Sequence, residues 1–141
     1  MTRLVPGVVT CALLLSLTAC SQKSSRFDTW GTVTFKDRPV PAGLIVINPD
    51  LSKGNDGPQG LAEIRDGRFD TRRLDKGAPS GPVILLIDGF DGVSRPDSPN
   101  GKPLFLGYKL SLDLPKASTE KNIEVPDSAG VKGKTASAPL P

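Results

Sequence analysis

Cys11 and Cys20 are the only thiols in the chain, and no histidine accompanies them. Without imidazole, the chain lacks the commonest general base, any Ser–His or Cys–His dyad, and the usual ligand of zinc and other transition metals. Carboxylates and lysines are what remain. The densest set of oxygen donors is Asp88-Gly89-Phe90-Asp91-Gly92, with Asp97 and Asn100 beyond it. A calcium loop would draw on such residues. The spacing departs from an EF-hand, however, and the closing glutamate is missing. Asp and Gly are also ordinary turn residues, so turn chemistry accounts for the segment. Asp66 and Asp70 lie too near one turn to suggest a shared, desolvated acid–base pair. Trp30 and Tyr108 could stack on a sugar, but with so few aromatics in the chain, packing in the core is the expected role. No catalytic residue, cofactor or metal site is assigned. Asp88, Asp91, Asp97 and Asn100 are carried forward as a loop that contacts a ligand or partner.

The thiols have a definite context. Arg3 supplies a positive start; Val8 to Leu17 supply an apolar stretch; Thr18 and Ala19 are small residues before Cys20. This is the build of a secretory signal. Pro6 and Gly7 break the run, which is too short for a spanning helix of about 20 residues. Leu17-Thr18-Ala19-Cys20 resembles the signals of bacterial lipoproteins, an aliphatic residue and two small ones before a cysteine. The resemblance implies cleavage between Ala19 and Cys20, with lipid attached at Cys20. Each buried methylene contributes about 0.8 kcal/mol, so two or three acyl chains would hold the protein firmly to a membrane. Ser21 in place of aspartate implies, by the same resemblance, the outer membrane facing the periplasm or cell surface.

Removing residues 1–19 leaves 122 residues, enough for one domain with flexible ends. It removes Cys11 and Arg3, leaving 17 basic against 15 acidic residues. That balance, with no basic cluster interleaved with aromatics, argues against nucleic-acid binding.

The elements that position these residues read as strands. Residues 20–28 are a polar tether. In Thr29 to Lys36, Gly31, Val33 and Phe35 share one parity, the period of a half-buried strand. Leu44 to Ile47 is a continuous apolar run ended by Pro49, which predicts a central strand. Residues 49–60 read as loop. Leu61 to Arg65, Asp66-Gly67 and Arg68 to Thr71 predict a hairpin on a type I′ turn, with Ala62, Ile64 and Phe69 inward. Pro82 to Ile87 is another apolar strand, and residues 89–103 a long polar loop. In Leu104 to Leu114 every even position is Leu or Tyr. That segment is read as one long strand or a strand entering a bend. Lys121 to Val125 is the last strand, and residues 127–141 read as a disordered tail. The whole predicts an all-β domain over 29–126, an antiparallel β-sandwich of about seven strands.

Gly31-Thr32-Val33-Thr34-Phe35-Lys36-Asp37-Arg38-Pro39-Val40-Pro41-Ala42-Gly43, then Asp66-Gly67-Arg68-Phe69 and Lys76-Gly77-Ala78-Pro79-Ser80-Gly81-Pro82-Val83, resemble the carboxypeptidase regulatory-like, transthyretin-like domains. They are also similar to small lipoproteins of planctomycete-type bacteria. Asp37 departs from the glycine usual there, and Val83 or Ile84 from the usual tyrosine. The resemblance implies a transthyretin-like or Ig-like sandwich acting as an accessory that stabilises, spaces or binds. Some sandwich domains of this superfamily carry an internal Lys–Asn bond promoted by an acid, which would map to Lys36, Asn122 and Glu63. Lys and Glu ordinarily sit on solvated faces, and the bond is not expected here.

The expected function is a non-catalytic structural or protein-interaction module at the cell envelope. Its partners would be a membrane through the lipid anchor, and an envelope protein or a glycan. A carbohydrate or small-ligand binder using loops 49–60 and 89–103 is the first alternative. An accessory domain of an envelope enzyme complex is the second.

Overall fold

The computed structural model describes residues 25–131. Nine strands make up the fold: β1 (Thr29–Phe35), β2 (Arg38–Pro39), β3 (Ala42–Pro49), β4 (Gly60–Arg65), β5 (Arg68–Asp70), β6 (Gly81–Phe90), β7 (Pro103–Leu114), β8 (Thr119–Glu120) and β9 (Ile123–Val125). The only helical pieces among the described residues are three short 3-10 turns. The predicted all-β, antiparallel fold is what forms.

The main sheet runs β2-β1-β5-β4-β3-β6-β7, every neighbour in it antiparallel. β1 changes partners along its length. Trp30 to Thr32 pairs with β5, while Val33 to Phe35 pairs with β9 and, through Thr34 and Phe35, with β2. The sheet therefore curls over itself, and its far ends meet where Phe105 of β7 bridges to Gly130. Phe35 and Phe105 meet inside at 5.2 Å between ring centroids. β8 and β9 run parallel to β1, a departure from the purely antiparallel expectation. Five antiparallel steps lead from β1 to β7, so β7 runs opposite to β1, and the chain that reverses over residues 115–118 enters β8 and β9 in the sense of β1.

Period-2 burial carries the core. Gly31, Val33 and Phe35 share one face of β1 as expected, and with Thr29 they point inward; Ala62, Ile64 and Phe69 point inward from the hairpin, also as expected. Asp66 and Gly67 hold φ of 50° and 74°, the left-handed values of a type I′ turn. β3 is internal, as Leu44 to Ile47 predicts. Only Ile45 and Ile47 are fully buried, whereas Leu44 and Val46 look out from the other face.

Both ends of the domain lie further out than 29 and 126. Phe27 exchanges two backbone hydrogen bonds with Ala78, at 2.9 and 2.8 Å, and the Arg26 guanidinium donates to Gln59 O. Residues 26–28 thus belong to the domain rather than to a tether. Asp127–Ala129 forms a 3-10 turn, and Val131 N–H donates to Leu104 O, so 127–131 are structured as well. Ala19, Cys20 and the remainder of the expected tail lie outside the described residues.

Candidate functional site

The loop expected over 89–103 spans 91–102, because β6 continues through Phe90 and β7 starts at Pro103. Asp91 organises it. One carboxylate oxygen accepts from Val93 N–H and Lys102 N–H, both at 2.9 Å, and Arg95 approaches at 3.5 Å. The Val93 N–H leads the causes that hold this carboxyl below the ordinary range; the Lys102 N–H and the Arg95 guanidinium add to it, against partial burial. Gly101, at φ +90°, has no room for a Cβ, which would meet Asp91 Oδ1 at 1.8 Å. Arg95 and Ser98 exchange backbone hydrogen bonds, and Ser98 Oγ donates to Gly101 O. The carboxylate is engaged by the loop's own donors chiefly through Oδ1, while Oδ2 meets only the Arg95 guanidinium at 3.5 Å.

The four residues carried forward do not converge. Asp88 stands on β6 and accepts from Gly107 N–H at 2.7 Å. Asp97 is exposed in the turn between Arg95 and Ser98, and Asn100 contributes its carbonyl to Gly92 N–H. No group of three or more acidic, cysteine or histidine residues positioned to hold a metal occurs among the described residues. Trp30 and Tyr108 also lie apart, on β1 and β7. The Trp30 ring is covered by the Arg72 guanidinium at 4.8 Å, which itself donates from Nε to Asp70 Oδ1 and from Nη2 to Asp70 Oδ2. The Lys36–Glu63–Asn122 trio is separated too. Lys36 sits in the β1–β2 turn over the Phe35 ring, Glu63 pairs with Arg65, and Asn122 Oδ1 accepts from Thr32.

Two concave surfaces occupy opposite ends of the strands. A groove of about 300 Å³ between Phe35, Pro39, Pro41 and Leu104 is rimmed by Lys36, Arg38 and Asp91. At the other end, about 600 Å³ opens between Phe27, Asn55, Pro58, Pro79 and Lys116. Asn55 is the pin of that end, donating to Ser80 O at 3.0 Å and Pro82 O at 2.7 Å. Ala42 pairs with Phe90 and Pro49 with Val83, so the 49–60 and 91–102 loops are separated by all eight residues of β3. At about 3.4 Å per residue that is over 20 Å, too far for the two loops to line one small-ligand site.

Two surface features escaped the sequence reading. Leu61, Val46 and Leu86 stand side by side on the outer face of β4, β3 and β6, with Leu44 and Ile84 beside them, all half-buried. This apolar stripe lies on the solvent side of the sheet, where polar residues are usual. Next to it β7 is the last strand of the sheet. The unbroken Leu-Ile-Val-Ile run was the signal for the stripe, since a strand with one wet face ordinarily alternates. Comparison with known proteins returns no matching family model, no matching curated protein and no matching solved structure.

Proposed function

We propose that this chain is a lipid-anchored cell-envelope lipoprotein whose transthyretin-like β domain is a non-catalytic structural or protein-interaction module. The observation that carries the interaction role is the outer apolar stripe beside a sheet edge left unpaired among the described residues, a combination that marks association surfaces. The anchoring role rests on the sequence around Cys20. The domain is tied down from Arg26 onward, only six residues later. Six extended residues reach about 20 Å, so an anchor at Cys20 would keep the domain against its membrane. Two glycines of the quoted pattern support the family reading. Gly31 lies where a Cβ would meet Lys121 O at 1.9 Å, and Gly67 at the left-handed turn.

Fractionation of the cells that make the protein tests the anchor. The native chain should sit in the membrane fraction with an acyl mass on its N-terminal peptide. Cys20→Ser should move the protein to the soluble exported fraction without that mass. Unchanged fractionation of the variant would overturn the anchor. For the interaction role, replacing Leu86 and Val46 by serine on the outer face should leave the fold intact and abolish co-purifying envelope partners. Retention of those partners would remove the stripe from the argument.

A further inference from the structure

Among the described residues, most of the outer edge of β7 has no strand partner. On its far side, the pairing among the described residues is confined to the first residues of the strand, through the Phe105–Gly130 bridge and the Val131–Leu104 hydrogen bond. At Val131 the described chain is heading past Pro103, away from Tyr108. Gly107 to Leu114 is thus an eight-residue edge without proline, bounded by the bulge at Leu106-Gly107 and by Pro115.

The hydrogen-bonding sense of that edge follows from Pro82. Its carbonyl accepts from Asp50 N–H at 3.0 Å and therefore points toward β3, and it has no N–H to offer β7. Asp113, which stands opposite Pro82, turns its own N–H and C=O away from β6. Antiparallel pairing alternates strictly, so Ser111 and Lys109 do the same. Their side chains are exposed on the outer face. Tyr108, Leu110 and Leu112 lie on the inner face, packed against the core yet still partly exposed.

We propose that the edge pairs antiparallel with β7 of a second copy of this chain, with Ser111 on the two-fold axis. The charges choose this register. With Ser111 opposite itself, Lys109 faces Asp113 of the second copy and Asp113 faces its Lys109. Sliding the pairing to centre on Lys109 or on Asp113 sets like charges opposite one another, which is unfavourable. The chosen register makes about six backbone hydrogen bonds, from three facing pairs that exchange both. On the inner face it sets Leu110 against Leu112 and Tyr108 against Leu114 of the second copy. These fall at the non-hydrogen-bonded sites, where side chains come closest. The lysine and the bulge are devices that ordinarily blunt an edge. Here the lysine has its counter-charge four residues on, and the bulge lies outside the paired span. The two-fold axis is perpendicular to the sheet, so the two N-terminal ends leave from opposite ends of the pair. Both can reach one bilayer when the joined sheets lie along it.

Cross-linking of the full acylated chain in its own membranes tests the pairing. With residues 1–19 cleaved and Cys20 acylated, as in the proposed lipoprotein, an introduced cysteine is the only thiol. In a hydrogen-bonded pair on the dyad the two Cα atoms lie about 5.5 Å apart, within the disulfide range of about 4.4–6.8 Å. Ser111→Cys should give a disulfide dimer on mild oxidation, and Ser94→Cys on the 91–102 loop should not. In the Ser111→Cys background, Lys109→Asp should lower the cross-linked fraction about tenfold, and adding Asp113→Lys should restore it. Restoration separates a lost contact from a lost fold. Equal cross-linking at 94 and 111, failure at 111, no rescue by the charge swap, or capture of a different protein at 111 would each overturn the proposal.

Discussion

Gly31 marks the closest approach of backbone to backbone at any described glycine. The backbone of Lys121 lies against it and donates to Trp30 O at 2.8 Å, which brings the β8–β9 connection onto β1. A methyl group would occupy the space of the Lys121 carbonyl, and φ of 153° disfavours any side chain. Gly31→Ala should cost about 2–4 kcal/mol in urea unfolding, by forcing β8 and β9 off the sheet. An unchanged midpoint would show that this connection contributes little. Such a glycine is visible in the sequence only as a small residue in an inward parity. The reason for it lies ninety residues away. Asp91 was singled out for its oxygens, and it does use them, on Val93 and Lys102 of its own loop. Residue type showed that the carboxylate would be busy. Only the loop geometry showed with what.

β7 shows how an element can be recognised while the facing of its residues stays open. The even positions from Leu104 to Leu114 share one parity in the sequence. In the structure Phe105 is fully buried, Leu106 is exposed, and Tyr108, Leu110, Leu112 and Leu114 turn inward. A bulge reverses the parity. Leu106 and Gly107 stand together opposite Asp88, Gly107 takes φ +66°, and the register slips between Ile87 and Gly89. Phe105 then fits because Gly89 across from it has no Cβ, which would strike the ring at 2.4 Å. An isolated glycine in an alternating strand is the signal of a bulge, and Gly107 carried it. Asp88 caps the bulge through the Gly107 N–H. Asp88→Ala should destabilise by about 1 kcal/mol and speed amide exchange at Gly107 ahead of the rest of β7. Uniform exchange along the strand would show that the bulge holds without its cap.

For the molecule as a whole, the pH response follows from three aspartates and the lack of histidine. The carboxyls of Asp50, Asp70 and Asp91 are all held below the ordinary aspartate range, by hydrogen bonds from Ser52, from Arg72 and from Val93 N–H respectively. A carboxyl with a depressed folded-state pKa stabilises the fold above its unfolded value, and that contribution is lost as pH falls through the folded one. The melting temperature should therefore hold nearly level from pH 8 to 5, since no imidazole titrates there, and decline below about pH 4. A step between pH 6 and 7 would contradict this account. The separation of the two loops acts at the same scale. It divides the surface into an end that carries the N-terminal Arg26–Phe27 clasp and an end built on Asp91.

By itself the sequence determined the class of the fold, the β4–β5 hairpin, the inward parity of β1 and the chemistry that the chain lacks. Each of these is local: period-2 alternation, an Asp-Gly turn, an inventory of side chains. The tertiary structure alone decided the parallel return of β8 and β9, the parity switch in β7, the separation of the 49–60 and 91–102 loops, and the edge, unpaired among the described residues, beside an apolar face. These depend on which strands become neighbours, and neighbours along a sheet are set by contacts between residues far apart in the chain.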